Sequence, residues 1–323
     1  MADYGNGLRL ALVGCSGNVG SQLLELLDER AVPYRELRLF RLEPEASEEI
    51  EVGERHHPVR KFAGPDDLAG ADVAFIAAPG EVAEAIGSAK AAPVLIDLSG
   101  HNRPPGAAPM VAPGFTPREA VRKLAAAGPL HVPHPVALAL ATIAQAIGDV
   151  SALNATVLLS ASALGREAIR HQVEQSAELL NGRLDLRENE RQVAFNLAPL
   201  ADVQLADAIV AQAGRLLTKP VPMTLRLVQV PVLHGTAMAI APGFAAGIDQ
   251  CRERLRSAPG ILLVEDEQAL GVVDSIGQEA LLMSAHAGGA GPMLWCVFDN
   301  ARHAALTALW IAECLLPASD NLN

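Results

Sequence analysis

The sequence predicts an α/β protein in which a doubly wound parallel sheet is followed by an α+β domain. Its 323 residues exceed the usual size of one domain, about 100–200 residues, and half of them are hydrophobic, which supplies a sizeable core. In the first half, short apolar runs alternate with amphipathic stretches. In the second half, longer apolar strands have helical stretches bunched between them. The different patterns of predicted strands and helices in the two halves indicate two domains.

The first half has the alternation that is typical of a parallel sheet covered by helices on both faces. The predicted strands are residues 8–13, 36–40, 73–77 and 94–97, and the predicted helices are residues 18–29 and 81–91. Residues 43–55 interrupt this pattern with six acidic and few apolar residues. We expect a solvated loop there.

The second half predicts fewer, longer strands on an antiparallel or mixed sheet. Its predicted strands are residues 152–159, 223–232, 280–285 and 293–298, and its predicted helices are residues 136–147, 166–180 and 301–315. The helix at 166–180 is followed by Asn181-Gly182, which is typical of a helix C-terminus. The last helix has one apolar face.

Composition and charge exclude several classes of partner. Aromatic residues are 3% of the chain and the net charge is −12, without a basic half or tail, so we expect no nucleic acid and no anionic membrane. The four cysteines lie far apart and form no CxxC pair, which is typical of reduced thiols in a cytoplasm. The first residues lack the basic and apolar regions of a signal peptide, so we expect a cytoplasmic protein.

A glycine-rich loop, Gly14-Cys15-Ser16-Gly17-Asn18-Val19-Gly20, joins the first strand to the first helix. Gly14 permits a tight turn, Gly17 lets the backbone approach a pyrophosphate, and Gly20 lets the helix pack on the strand. The helix N-terminus adds N–H groups and a partial positive charge. The loop predicts a Rossmann-type dinucleotide site, with Cys15 as a small packing residue. The alternative is a tight turn that binds nothing.

The residues after the second strand bear on the choice between NAD and NADP. Glu43 is a candidate to hold a ribose hydroxyl, whereas Arg41, two residues earlier, is a candidate to meet a 2′-phosphate. The run of acids after Glu43 favours NAD. The alternative, an acidic surface without a ligand, stays open.

Segments in order over nearly the whole chain resemble the aspartate-semialdehyde dehydrogenase family, NAD(P)-dependent oxidoreductases of amino-acid biosynthesis. Besides the glycine loop, these segments are residues 23–33, 75–80, 94–99, 162–166, 194–199, 230–232 and 299–313. Matches that are spaced in order along a chain are more specific than any one motif.

The resemblance implies a fold, a cofactor and an assembly. It implies a Rossmann-like dinucleotide-binding domain at residues 1–133, a dimerisation and catalytic domain at 134–298, and a C-terminal helix at 299–323 that returns to the first domain. It implies a homodimer. The cofactor, NAD or NADP, would contact Gly14, Cys15, Ser16, Gly17, Asn18, Val19 and Ala78.

The family's reaction converts an acyl phosphate to an aldehyde through a covalent intermediate on a cysteine thiolate, assisted by a base. The cysteine follows Asn-Pro-Asn at a helix start. The matching segment here is His134-Pro135-Val136-Ala137, so the nucleophile position holds Ala137. A methyl group cannot attack a carbonyl, and Thr142 lies more than a turn further along the helix.

Other positions that the resemblance assigns to the reaction also lack its chemistry. The base position holds Thr236, and His234 would share its face only if the segment stays extended. The substrate-binding arginine is replaced by Gln229 and a glutamine by Leu159. A glutamate and a lysine fall on apolar residues near 205–208. The Ser-Ala-Gly element for the 2′-phosphate has no counterpart between Phe40 and Val52, so we expect weak dinucleotide binding.

Two further groups of polar residues have alternative roles. His131, His134 and His234 would suggest zinc if they converged, but their segments contain no carboxylate to support them, so we expect no metal. Asp299-Asn300 is expected to cap the last helix rather than to catalyse.

Two functional hypotheses follow. The first is a catalytically silent or altered member of the family that serves as a dinucleotide-sensing or protein-binding module with an unidentified protein partner. The alternative is an active oxidoreductase that transfers hydride to or from an aldehyde or oxo group without a covalent intermediate.

Overall fold

The structure is a computed structural model that describes residues 7–87, 93–99, 109–183, 186, 190–245, 247–265, 270–289 and 291–316. The chain divides into two compact units, one of Met1–Pro133 with Ala304–Asn323 and one of His134–His303. Among the described residues, each unit contains one sheet of seven strands. The described helices include none that is long and apolar enough to cross a membrane.

The first unit is a mostly parallel sheet in the order β3-β4-β2-β1-β5-β6-β7, with only the β3–β4 pair antiparallel in its described part. Its elements are β1 (Leu8–Val13), α1 (Asn18–Glu29), β2 (Tyr34–Arg41), β3 (Glu49–Val52), β4 (Arg55–Lys61), β5 (Val73–Ile76), α2 (Gly80–Gly87), β6 (Val94–Asp97), α3 (Arg118–Ala127) and β7 (Leu130–His131). The predicted doubly wound sheet is confirmed.

Strand β1 shows why both faces of this sheet need helices. Leu10 and Leu12 are buried in one apolar cluster, with α1, α3 and the C-terminal helix, whereas Ala11 and Val13 are buried in a second cluster, with α2. Successive side chains of a strand point to opposite faces, so a strand with four consecutive buried apolar residues, as at 10–13, must be covered on both faces.

The predicted loop at 43–55 is wrong, because part of it forms a hairpin of β3 and β4. Ile50 and Val52 alternate with acidic residues, and Gly53 turns the chain with a φ of +63°. Val52 and Val59 are buried in the first core, and β4 pairs with β2. The count of acids concealed a period-two pattern that marks a half-buried strand.

The other predicted elements of this unit differ mainly at their ends. β2 is longer than the predicted 36–40, and β5 ends one residue before the predicted 73–77. The predicted helix at 81–91 is α2, but residues 88–91 lie outside the described residues. The short strand β7 was not predicted.

The second unit is a mixed sheet, as predicted, in the order β12-β13-β14-β11-β8-β10-β9. Its elements are α4 (Pro135–Ile147), β8 (Leu153–Leu159), α5 (Arg166–Leu180), β9 (Ala198–Pro199), α6 (Val203–Leu216), β10 (Met223–Gln229), β11 (Thr236–Pro242), α7 (Ile248–Ser257), β12 (Ile261–Leu263), β13 (Leu281–Gly288), β14 (Gly291–Phe298) and α8 (Asn300–Leu315). Strands β8 and β10 are parallel, as are β12 and β13.

Several strands of this sheet depart from the prediction, and the short strands β9 and β12 were not predicted. β10 stops at Gln229, short of the predicted 232, because Pro231 has no N–H to give to a ladder. β11 was missed because its alanines have low strand propensity. The last helix continues past His303 into the first unit, where Ala305, Leu309 and Ala312 are buried in the core.

Helices α4, α6 and α7 cover one face of the second sheet. The described part of the opposite face is less covered, because Asn154, Thr224 and Arg226 are exposed on β8 and β10. A sheet with one open face leaves a surface that a partner can cover.

Candidate nucleotide site and family reaction centre

The glycine loop lies at the carboxyl end of β1, held by close backbone contacts. The N–H of Gly14 donates to the carbonyl oxygen of Phe40 at 2.9 Å, and Gly14 has a φ of +92°. A Cβ atom on Gly14 would stand 2.3 Å from the carbonyl oxygen of Ala77, and one on Gly20 would stand 2.2 Å from that of Gly14. Both glycines are therefore required by the fold of the loop itself.

Gly17 is different, because it has room. A Cβ atom there would meet its nearest neighbour, the carbonyl oxygen of Gly14, at 3.4 Å. Gly17 is also the residue that precedes α1, and no side chain caps the helix there. No side-chain oxygen of this residue therefore covers the N-terminus of α1, and the positive end of the helix dipole is open to an anion, as in anion-binding loops.

The position of the loop in the sheet suits a dinucleotide. The strands next to β1 are β2 on one side and β5 on the other, so the loop lies where the strand order reverses. Ala78 is buried just after β5, at the same edge, since the N–H of Ala77 donates to the carbonyl oxygen of Val13 at 2.9 Å.

Cys15 is a packing residue of this loop. Its side chain is buried in the first core, and burial raises the pKa of the thiol to about 11, with the charge of Glu48 acting in the same direction. The thiol is therefore protonated at neutral pH and is not a nucleophile.

The end of β2 differs from the expectation based on Glu43. The strand ends at Arg41, and Glu43 is exposed beyond it. The carboxylate that meets Arg41 is that of Glu48, whose two oxygens accept hydrogen bonds from Nη1 of Arg41 at 2.7 and 2.6 Å. Sequence spacing did not indicate Glu48 as the partner of Arg41, because residues 42–48 fold back on the strand.

In the second unit, α4 begins next to His134, which caps it. Nδ1 of His134 accepts a hydrogen bond from the backbone N–H of Val136 at 3.2 Å, and the backbone N–H of His134 donates to Oε1 of Gln212 at 2.7 Å. Burial lowers the pKa of His134 to about 4, so the imidazole is neutral at pH 7 and serves as an acceptor.

Ala137, in the first turn of α4, is fully buried. It belongs to the apolar cluster that also contains Leu159 and Phe298. Thr142 is engaged within the helix, where its hydroxyl donates to the carbonyl oxygen of Leu138 at 2.8 Å. The position that the resemblance assigns to the nucleophile is thus a methyl group in apolar surroundings.

Strand register brings three of the other family positions into one row. Leu159 pairs with Gln229 on β10 and with Thr236 on β11. Leu159 is 70 or more residues away from the other two positions in the chain, and yet it lies beside both of them where β8 and β10 end and β11 begins. The residues near 205–208 are on α6, where Leu205 and Ala206 pack against the same apolar cluster. Asp207 lies between them and Ala208 and is exposed, so this window is not apolar throughout, which corrects the expectation.

His234 does not share a face with Thr236. The sequence analysis allowed a shared face only if the segment stays extended, and it does not. Gly235 has a φ of +85°, so the chain bends between the two residues. His234 is exposed, whereas Thr236 is fully buried. Only glycine suits this bend, because of its positive φ and because a Cβ atom on Gly235 would stand 2.5 Å from Cγ1 of Val272.

A buried cluster of hydroxyl groups surrounds Asn300, and the sequence did not predict it. Oγ of Ser160 and Oγ of Ser162 are 3.0 Å apart, and Ser162 donates to Oδ1 of Asn300 at 3.2 Å. Oγ1 of Thr236 is 3.5 Å from the same oxygen. These groups are neutral, so the cluster offers hydrogen bonds but no base.

Asp299 caps α8, as predicted. Its Oδ1 accepts from the N–H of Arg302 at 3.0 Å and its Oδ2 from the N–H of Gly277 at 3.1 Å. Asn300, which the prediction joined to this cap, belongs to the hydroxyl cluster instead.

His131 has a carboxylate partner that is remote in sequence. Nδ1 of His131 lies 3.0 Å from Oδ2 of Asp97, the residue beside it on β6. Burial opposes ionisation of Asp97, but hydrogen bonds from His131 and Ser99 outweigh it and hold the pKa of the carboxyl below its ordinary value. The sequence showed no such carboxylate because Asp97 is contributed by another strand. Within the described part of the chain, no three His, Cys, Asp or Glu side chains are placed to hold a metal ion.

Both halves of the chain are similar to known protein families. The family model of the semialdehyde dehydrogenase NAD-binding domain matches residues 9–124, and that of the semialdehyde dehydrogenase dimerisation domain matches residues 140–302. Both units described above therefore match parts of one family.

Full-length relatives support the same match. A USG-1 protein homolog of Pseudomonas aeruginosa is 34% identical, covering 96% of this chain and 98% of its own. The aspartate-semialdehyde dehydrogenase of Prochlorococcus marinus is 29% identical, with 97% of each chain covered.

Solved structures are similar over the same length. A probable aspartate-semialdehyde dehydrogenase from Pseudomonas aeruginosa superposes with a TM-score of 0.82 and 31% identity. The aspartate semialdehyde dehydrogenase II of Vibrio cholerae, complexed with ASA, superposes with a TM-score of 0.85 and 26% identity. Each covers 97% of this chain and 99% of its own.

Proposed function

Because the chain belongs to the semialdehyde dehydrogenase family, we propose that it is a dinucleotide-binding homodimer of that family that no longer carries out the covalent dehydrogenase reaction. The family supplies an NAD-binding domain and a dimerisation domain, over residues 9–124 and 140–302. In this proposal the chain still binds a dinucleotide and forms a dimer, but it has no cysteine thiol for the covalent reaction.

The observation that carries the proposal is the buried methyl group of Ala137 at the start of α4. A covalent route needs a thiolate there, and the surrounding cluster is apolar. Leu159, Gln229 and Thr236, in one row of the sheet, add no charged group that stabilises an acyl transfer. The described thiols are all buried, which keeps them protonated.

The residues of the glycine loop fit a dinucleotide. Gly17 has no Cβ and no side-chain cap above the start of α1, so a pyrophosphate would meet the backbone N–H groups of residues 17–19 directly. Bound NAD(P) would supply a hydride acceptor or donor. Residues 14–19 and Ala78 would orient it.

Calorimetric titration tests this part of the proposal. We expect NAD to bind at the glycine loop, with an affinity equal to or higher than that of NADP, because no Ser-Ala-Gly element for a 2′-phosphate follows Phe40. Binding of neither nucleotide would contradict the proposed function. Binding of NADP many-fold tighter than NAD would contradict the preference.

A homodimer built by the second unit is supported by exposed apolar side chains. Phe195 is 64% exposed and Leu197 is 63% exposed, within the segment that the family's dimerisation-domain model covers. Phe195 also has a φ of +52°, an unfavourable conformation for an aromatic residue. A second copy that covers these side chains removes them from water.

Light scattering after size-exclusion chromatography tests the dimer. We expect about twice the 33.8 kDa mass of the chain at low micromolar concentration. Phe195→Glu should shift the mass toward that of the monomer, because it places a charge in an apolar interface. The matched control is Leu42→Glu, an equally charged change of an exposed leucine in the first unit. A wild-type monomer would refute the dimer.

A further inference from the structure

On the basis of the proposed dinucleotide binding, we infer that Glu48 sets the choice of dinucleotide by occupying Arg41 and excluding the 2′-phosphate of NADP. The favoured ligand class is then an adenine dinucleotide with a free ribose 2′-hydroxyl. The acidic residue expected from sequence, Glu43, has no part in this selection.

The pair lies beside the glycine loop. The N–H groups of Gly14 and Cys15 both donate to the carbonyl oxygen of Phe40, at 2.9 and 3.3 Å, and Arg41 is the next residue of β2. The adenosine ribose of a dinucleotide lies at this end of the second strand in Rossmann-type folds. The charges of both partners also act on the Cys15 thiol, after burial as the main cause of its pKa change: Glu48 raises the pKa and Arg41 lowers it.

Glu48 is held in place from several sides. Besides the two hydrogen bonds from Arg41, its Oε2 accepts from the N–H of Glu45 at 3.1 Å, and its carbonyl oxygen accepts from the N–H of Val59 at 2.8 Å. The side chains of Arg41 and Glu48 are each only 19% exposed. The ion pair is therefore largely buried and hydrogen-bonded to the backbone of its own segment, unlike a solvent-exposed surface pair.

The carboxylate of Glu48, paired with Arg41, discriminates between NAD and NADP. A 2′-phosphate monoester carries about −1.5 to −2 charges, and it would have to take Arg41 from Glu48 while standing next to the carboxylate. A ribose hydroxyl is neutral and meets no such repulsion. Glu43 is exposed beyond the strand, so its charge is screened by solvent.

The test measures the 2′-phosphate separately from the nicotinamide half, by titrating AMP and adenosine 2′,5′-bisphosphate into wild type and Glu48→Gln. We expect wild type to bind AMP at least as tightly as it binds the bisphosphate. In Glu48→Gln, we expect the ratio of the affinity for the bisphosphate to the affinity for AMP to rise by about 10- to 100-fold. The reason is that Arg41 is released for a charge-assisted hydrogen bond to the 2′-phosphate. Lys61, the neighbour of Arg41 in register on β4, is exposed and adds a second cation.

Two controls assign the effect. Glu43→Gln removes an equal charge from the same segment and should leave the ratio unchanged. Arg41→Gln combined with Glu48→Gln should remove most of the gain, since the main cation that receives the phosphate is gone and only Lys61 remains. An unchanged ratio in Glu48→Gln, or an equal change in Glu43→Gln, overturns the inference.

Wild type alone also decides between the two proposals. If NAD and NADP both fail to bind, the proposed function fails and the inference with it. If NAD binds but NADP binds more tightly, the preference for NAD and the inference about Glu48 fail while dinucleotide binding stands, and this outcome holds even if Glu48→Gln does not fold. Circular dichroism of each variant checks folding.

Discussion

No phosphate-dependent conversion of aspartate semialdehyde is expected from the purified protein with NADP. Without a thiolate at position 137 no thiohemiacetal forms, so there is no acyl-enzyme for phosphate to release. Removal of a nucleophile leaves only the catalysis that binding and charge stabilisation provide, and Leu159, Gln229 and Thr236 offer little of either. The measurement is the absorbance of the reduced nicotinamide, with the Vibrio cholerae enzyme as the positive control.

Ala137→Cys extends this prediction, and it should restore little activity. The new thiol would lie in an apolar cluster without a base, because Thr236 stands where a base is needed and His234 is turned away. Wild-type turnover near the ordinary range of about 1–10³ per second would contradict the proposed function. Turnover of another aldehyde without phosphate would instead favour the non-covalent oxidoreductase.

Gly20→Ala is expected to destabilise the first unit by about 2–3 kcal/mol. The new methyl carbon would stand 2.2 Å from the carbonyl oxygen of Gly14 and 3.1 Å from the carbonyl carbon of Cys15, both backbone atoms. Ala normally favours a helix over Gly by about 1 kcal/mol, so the clash must outweigh this gain. Urea denaturation followed by circular dichroism measures the change in the free energy of unfolding.

Gly17→Ala is the matched control in the same loop. Its methyl group has its nearest contact at 3.4 Å, and the φ of Gly17 is −75°, so we expect a change within about 1 kcal/mol. The same variant should weaken NAD binding, since the methyl group stands where a pyrophosphate approaches. Equal stability of Gly20→Ala and wild type would show that the loop relaxes and that the close packing of α1 on β1 is not required.

Local patterns were sufficient for most of the fold. β1, α1, β6 and α5 have the predicted bounds because each is a short run with a clear period and a glycine or proline signal nearby. The hairpin of β3 and β4 was hidden by its acids, and β11 by its alanines. Both are strands because neighbouring strands pair with them, which local propensity does not register.

The family positions come from the resemblance, which transfers residue by residue along the chain, and their assignment stays a prediction. The surroundings of these residues could not be predicted from the sequence. The row of Gln229, Leu159 and Thr236 depends on strand register, and the hydroxyl cluster at Asn300 joins residues up to 140 positions apart, from Ser160 to Asn300.

The sequence by itself determined the two-domain class, the glycine loop and the alanine at position 137, where the resemblance expects the nucleophile, since each of these depends on contiguous residues. Only the tertiary structure decided which charges meet: Glu48 rather than Glu43 at Arg41, and Asp97 at His131. The physical reason is distance. A hydrogen bond or an ion pair acts over about 3–4 Å, and folding brings residues within that range without regard to their separation along the chain.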